Sequence, residues 1–405
     1  MIRMTRCKAK EEMEGSKMNF FDRFLFSIFP PKEPLPSGLY PYHTPPGTPE
    51  PYRLHLRIDP GGKGTLIVNA RTVLHLNETA SEYAYHLIKH TPQDVIARSV
   101  AKRYRVSKEQ ALQDFSSLKE QIEVLISQED LDPVTFLGFE RQEPYSGDET
   151  APYRLDCALT YRVSDDTAGI TPAERVKREL STEEWQTILK KAWDAGIPHV
   201  IFTGGEPTLR PDLPDLLAFS EELGQVTGLL TDGLRLAEPK YLQQLLLCGL
   251  DHVMMLFDPN EDQAWEGLRD CLAENLYITI HLTLSNLNAP QTEVQEFSML
   301  LDKFAEMGVH SISLSLTDPA LQESLEEMRN AVAERDLTLV WDLPVPYSRF
   351  NPVSIELENA DMLVDGSGHG WMYVEPDGDV LRSQGFTDML GNLLNDDWEA
   401  IHQKA

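Results

Sequence analysis

The chain has 405 residues, 41% hydrophobic and 25% charged, the balance of a globular protein of about two to four domains. With 36 Lys and Arg against 65 Asp and Glu, the net charge of −29 argues against a protein that wraps nucleic acid through a basic footprint. No run reaches the roughly 18 apolar residues of a membrane span, and Cys7, Cys157, Cys248 and Cys271 are too few and too scattered for a disulfide scaffold, which points to a reducing cytoplasm.

Residues 1–50 read as a flexible leader, because the proline density of PPKEPLP and YPYHTPPGTPEP disfavours helix and sheet. Within it, the aromatic stretch Met18–Phe29 is too short to span a bilayer and has no cleavage site after it. Docking on the protein's own surface is its plainest use, and Met18 is a second candidate start.

Residues 51–127 form the next unit. Tyr52–Ile58 alternates with period two and reads as a strand, followed by a turn at Asp59–Gly64 and short strands at Thr65–Val68 and Thr72–Leu76. Asn77 caps a helix from Glu78 to Lys89, Thr91-Pro92 opens a second, and Ser107 caps a third. On the third, Leu112, Phe115, Leu118, Ile122 and Leu125 make one apolar stripe. Strands followed by three helices give a small winged-helix-like module. It holds 11 Lys and Arg against 8 Asp and Glu, so a balance of +3 stands on a chain that is otherwise at −32. Lys102, Arg103, Arg105 and Lys108 would be the phosphate contacts of a DNA-binding regulator, a reading the whole-chain charge opposes. The alternative is an exposed strand edge that accepts a peptide strand through main-chain hydrogen bonds. His75-Leu76-Asn77-Glu78-Thr79-Ala80, the Asp94-Val95-Ile96 helix and the Tyr104-Arg105-Val106-Ser107 turn resemble PqqD-like domains. That resemblance implies binding of the leader of a ribosomally made precursor peptide. The docking residues are then Val73, Leu74 and His75 on the edge strand with Leu112, Phe115 and Leu118 on the last helix, some of which must also serve the module's core.

Residues 128–152 read as an acidic linker. From 153 to 345, strand and helix patterns alternate, the arrangement of a parallel sheet. Thr279, His281 and Thr283 share one face of a strand, as do Ser311, Ser313 and Ser315. Parallel strands covered on both sides are apolar on both faces. A single polar face therefore predicts an α/β partial barrel with helices outside and a polar, solvated interior.

The sharpest motif is Phe202-Thr203-Gly204-Gly205-Glu206-Pro207, at the carboxyl end of a strand, where such folds build their sites. Two glycines admit close approach to the backbone, and the Glu206 carboxylate can accept hydrogen bonds from a cationic amine. Thr-Gly-Gly-Glu-Pro in this position resembles the methionine-binding loop of radical S-adenosylmethionine (radical SAM) enzymes. Thr231-Asp232-Gly233 and Phe257-Asp258 resemble the ends of that family's third and fourth strands. Residues 346–405, with Val374-Glu375-Pro376-Asp377-Gly378-Asp379-Val380 and Gly391-Asn392-Leu393, resemble a shortened SPASM-type extension. The resemblance implies that Gly204, Gly205, Glu206, Pro207, Thr231 and Asp258 line a cofactor site for S-adenosylmethionine.

One departure is decisive for the expected chemistry. The family carries Cys-x3-Cys-x2-Cys after its first strand; here Thr160-Tyr161-Arg162 is present, but the three slots hold Val163, Thr167 and Ile170. Ser383 stands where the extension has a cysteine, and Leu256 where the fourth strand often has a polar residue. A cubane cluster needs thiolates that these positions do not supply. Asp258, Glu206 and His281 could converge on a metal, though nothing in their spacing requires it. The expected protein is a cluster-less radical SAM-like pseudoenzyme without an iron–sulfur cofactor. It would bind a precursor peptide or a partner maturation enzyme, in the cytoplasm. The alternative is a SAM-binding enzyme that acts on a peptide by two-electron chemistry.

Overall fold

The computed structural model describes residues 35–45, 48, 52–69, 72–128, 151–164, 176–274, 276–284, 290–309, 311–316, 319–335, 337–341, 343–348, 351 and 366–405. The segment Met18–Phe29, the 129–150 linker, and Thr167 and Ile170 lie outside these.

The first unit is a four-stranded antiparallel sheet in the order β1 (Gly38–His43), β2 (Arg53–Ile58), β3 (Gly64–Val68), β4 (Thr72–Leu76), backed by helices α1 (Glu78–Ile88), α2 (Gln93–Tyr104) and α3 (Lys108–Ser127). The sequence places its caps correctly. Asn77 accepts from the Ala80 N–H at 2.9 Å and Ser107 from the Gln110 N–H at 3.0 Å. Arg105 ends α2 in the left-handed region, at φ 58°. One core joins Leu54, Leu56, Leu66, Ile96, Val100, Phe115, Leu118 and Ile122. Strand β1 corrects the expectation that residues 1–50 stay outside the fold. Pro41 is tolerated because β1 is an edge strand, and Tyr40 and Tyr42 pack against the module core.

The second unit is a ten-stranded sheet in the order β11-β10-β9-β8-β7-β6-β5-β12-β13-β14. Strands β5 (Arg154–Thr160), β6 (His199–Gly204), β7 (Val226–Thr231), β8 (His252–Leu256), β9 (Tyr277–Leu284), β10 (Ser311–Leu316) and β11 (Thr338–Val340) run parallel. Helices α4 (Thr182–Ala195), α5 (Leu213–Leu223), α6 (Pro239–Leu247), α7 (Asp262–Ala273), α8 (Pro290–Met307) and α9 (Gln322–Ala333) alternate with them. The sheet does not close: β11 and β14 are its edges. Beyond β5, the chain's last part adds β12 (Trp371–Val374) parallel to β5, then β13 (Asp379–Leu381) and β14 (Gly391–Asn392) antiparallel, and ends in a short helix α10 (Trp398–His402). Residues 371–392 thus extend the barrel sheet.

The helix-facing side of the sheet is the main core, with Leu155, Cys157, Val200, Phe202, Leu229, Val253, Met255 and Ile280 against Trp185, Ile188, Leu216 and Leu268. The other face is divided. On β6, β7 and β8 it is apolar, with Ile201, Leu230 and Met254 packed together and Leu256 and Leu343 against them. On β9 and β10 it is polar, as the alternation predicts, and His281 and Thr283 border a hollow. Thr279, His281, Ser311 and Ser313 are buried, and His281 satisfies Ser313 at 3.0 Å and Ser315 at 3.0 Å. Ser311 pairs with the Tyr277 hydroxyl.

Candidate functional site

The Gly204–Pro207 loop leaves the end of β6 under tight steric control. Gly204 has φ +122°, and a Cβ there would lie 2.1 Å from the Thr160 carbonyl oxygen. At Gly205 a Cβ would lie 2.2 Å from the Arg162 carbonyl oxygen. Only glycine lets this loop press against the backbone after β5. The Gly205 N–H then donates to Thr160 at 2.8 Å, the Glu206 N–H to Arg162 at 2.7 Å, and the Tyr347 N–H to Gly204 at 2.7 Å.

Glu206 is 2% exposed. Its carboxylate accepts from the Thr208 N–H at 2.9 Å, capping the short 3₁₀ turn Pro207–Leu209. It also accepts from the Thr231 hydroxyl at 2.9 Å and the Asp232 N–H at 2.7 Å. Burial first, and the nearby Asp232 charge second, push its pKa up to about 8, against the pull of those donors.

A cavity of about 320 Å3 opens beside this loop, at the carboxyl ends of the strands. Of the residues singled out in the sequence, Gly205, Glu206 and Asp258 line it. Gly204, Pro207 and Thr231 stand behind the wall and shape it. The sequence reading missed Asp232, Glu261 and Tyr347, which also line the cavity. Asp232 was inside a quoted motif, and Glu261 follows Asp258 by three residues. Tyr347 comes from a stretch with no periodic signal. A second hollow, of about 520 Å3, shares Leu256 and Asp258 with the first and is walled by Trp265, Phe297 and Leu300.

The donor set fits some groups and not others. Val163, the first of the three slots, lines the cavity beside Gly205. None of the three described cysteines lines it. Cys157 points into the helix-facing core, where burial holds its thiol well above the usual range, and burial pushes Cys271 up to about 12. Both are protonated thiols, which ligate metals poorly. Among the described residues, no three His, Cys, Asp or Glu side chains could hold a metal ion together. Asp258, Glu206 and His281 therefore do not form the metal site weighed from the sequence, since His281 is taken up by Ser313 and Ser315. A cysteine-ligated cluster does not fit these residues. A ligand that carries an ammonium or sulfonium does fit, because Asp232, Asp258 and Glu261 supply acceptors and negative charge, to which Glu206 adds when it ionises.

The proposed docking residues separate by burial. Leu74 is 2% exposed, and Phe115 and Leu118 are each 7% exposed, all within the module's core. Val73, at 44%, faces outward on β4, which is an edge strand among the described residues. Leu112 and His75 are half-buried, with the His75 ring against Tyr153.

Residues 157–264, which hold the Gly-Gly-Glu-Pro loop at the carboxyl edge of the parallel sheet, match the Radical SAM superfamily model. More particularly, the chain is 32% identical over 161 residues to the PqqA peptide cyclase of Streptomyces rochei, a match that spans 36% of this chain and 43% of the relative. It is 42% identical over 84 residues to the PqqA peptide cyclase of Gluconobacter oxydans (strain 621H), spanning 21% of this chain and 23% of the relative. The chain thus matches less than half the length of either relative. In fold it is similar to Streptococcus suis SuiB bound to precursor peptide SuiA, with a TM-score of 0.50 at 14% identity over 86% of each chain. No helix among the described residues is long and apolar enough to cross a membrane.

Proposed function

We propose that this protein binds a precursor peptide during ribosomal peptide maturation as a cytoplasmic, non-catalytic partner of a maturation enzyme, with no iron–sulfur cluster. The observation that carries this reading is Val163 on the cavity wall where a thiolate would be needed, in a chain with no cysteine between residues 158 and 247. Without a cluster there is no one-electron donor for reductive cleavage of SAM. The likeness to PqqA peptide cyclases and to a fold described with a precursor peptide supports a peptide as the partner. The PqqD-like module, residues 51–127, offers the β4 edge for the leader, through main-chain bonds along Val73–His75.

Two measurements test the reading. Anaerobic reconstitution with iron and sulfide is expected to leave the protein colourless; a brown preparation with cluster absorbance overturns the cluster-free assignment. Titration of the full chain with precursor peptides encoded beside its gene is expected to give saturable binding, and failure with all of them removes the peptide role.

The second reading is a SAM-binding enzyme, favoured by the four carboxylates around the cavity. Glu206 and Asp232 would hold the ammonium of the bound SAM, and Asp258 and Glu261 would face its remaining polar groups. Bound SAM would supply an electrophilic methyl group. Calorimetry with SAM separates the two readings: micromolar binding favours the enzyme and silence favours the pseudoenzyme.

A further inference from the structure

The backbone after β5 and the stretch entering α4 meet at one carboxylate. Glu179 accepts a hydrogen bond from the Thr160 hydroxyl. The same hydroxyl oxygen accepts the Arg162 N–H at 3.1 Å and the Arg162 Nε–H at 3.1 Å, so its one donor and two acceptor sites are all used. Arg162 Nε lies 3.5 Å from Glu179 Oε1, and Arg210 Nη1 lies 3.9 Å from Glu179 Oε2. Arg210, 6% exposed, donates to the carbonyls of Leu159 at 3.2 Å and Leu180 at 3.0 Å. Its remaining donors fork onto Asp212 at 2.9 and 2.7 Å, and Asp212 accepts the Thr182 hydroxyl. The main chain of the same residues does the rest: Thr160 and Arg162 present their carbonyls to the Gly205 and Glu206 N–H groups.

The geometry points to Glu179 as the positioning residue that holds the Gly204–Pro207 loop without iron, an inference that rests on the cluster-free reading above. The backbone that carries Glu206 into the cavity hangs from Thr160 and Arg162, and both of their side chains are gathered on Glu179. A lone ion pair at this exposure contributes little. Here the pair shares an acceptor with Thr160, which is fully buried, so the network couples to a fixed strand end. The effect of losing Glu179 is therefore local: the loop loosens while the fold stands.

Amide hydrogen exchange on the full chain tests this. In Glu179→Ala the Gly205 and Glu206 amides are expected to lose about tenfold in protection, while Leu56 and Ile122 in the module keep theirs. Glu179→Gln keeps an acceptor for Thr160 and is expected to restore most of the protection. Unchanged exchange at Gly205 and Glu206, or a loss spread evenly over the molecule, overturns the assignment. The wild type is reconstituted with iron and sulfide in parallel. A cluster there overturns the cluster-free reading; a cluster-free wild type beside an indifferent Glu179→Ala overturns the role of Glu179 alone.

Discussion

Glu206 is a carboxylate that the protein both needs and penalises. Three donors hold its oxygens, yet burial and the Asp232 charge keep it protonated to about pH 8. A cationic ligand binds the ionised form better, so SAM affinity, where calorimetry detects it, is expected to rise as pH passes upward through about 8. Glu206→Gln fixes the neutral form and should flatten that dependence. Stability carries the same group with its own sign. The folded state holds a proton that the unfolded chain releases above its ordinary value of 4.5, so this contribution is present at low pH and fades as pH rises toward 8. Denaturant midpoints of wild type and Glu206→Gln between pH 5 and pH 9 check this. A wild type that gains stability relative to the variant across that range contradicts the assignment.

Among the elements, the β4 edge and helix α3 share the module's surface unequally. Leu118 and Phe115 face inward, so Leu118→Ala is expected to cost about 2–5 kcal/mol, seen as a lower unfolding midpoint, whatever happens to peptide binding. Val73 projects from the edge strand, so Val73→Lys should leave the fold intact and weaken peptide binding about tenfold, because a charge on an edge strand opposes strand addition. Titration of both variants separates a core role from a docking role. This division marks what the sequence could tell. The stripe Leu112, Phe115, Leu118, Ile122, Leu125 and the alternation of β2 set element type, and caps such as Asn77 and Ser107 set helix starts. Neither period nor cap says which side of an edge strand stays uncovered. Strand β1 was hidden because proline propensity describes the chain alone, whereas an edge position removes the penalty. At the site, Gly205, Glu206 and Asp258 were legible from motifs, while Tyr347 reaches the cavity by tertiary packing.

At the scale of the whole molecule, the module and the barrel meet through a seam of buried and half-buried titratable groups. From the module come His43 on β1 and Arg53 and His55 on β2; from the barrel come Glu221 on α5, Asp251, His252 on β8 and His199 on β6, with Arg154 beside the last two. Arg53 pairs with Glu221 at 3.1 Å and with Asp251, and His199 and His252 share a hydrogen bond at 2.8 Å. Gly228 makes room for the second ring, since a Cβ there would lie 2.4 Å from His252 Cε1. Burial lowers His252 to about 4 and His55 to about 3, and it drives His199 well below its ordinary range. The unfolded chain protonates these rings from about pH 6.5 downward while the folded protein resists, so stability is lost as pH falls from there toward 4. Asp251 works the other way. Burial raises it to about 6, so the folded state takes up a proton between pH 6 and its ordinary 3.8 and recovers part of the loss. Glu206 recovers stability in the same sense, while His281, lowered to about 4 by burial, adds a fourth ring to the loss. Four rings outweigh two carboxyls, and the thermal midpoint should drop between pH 7 and pH 4.5. His55→Leu removes one ring that must stay neutral and puts an apolar group in a site that is 2% exposed. Its midpoint should fall less than that of the wild type over the same range, and an equal or steeper fall would mean that acid acts on the molecule elsewhere than at this seam.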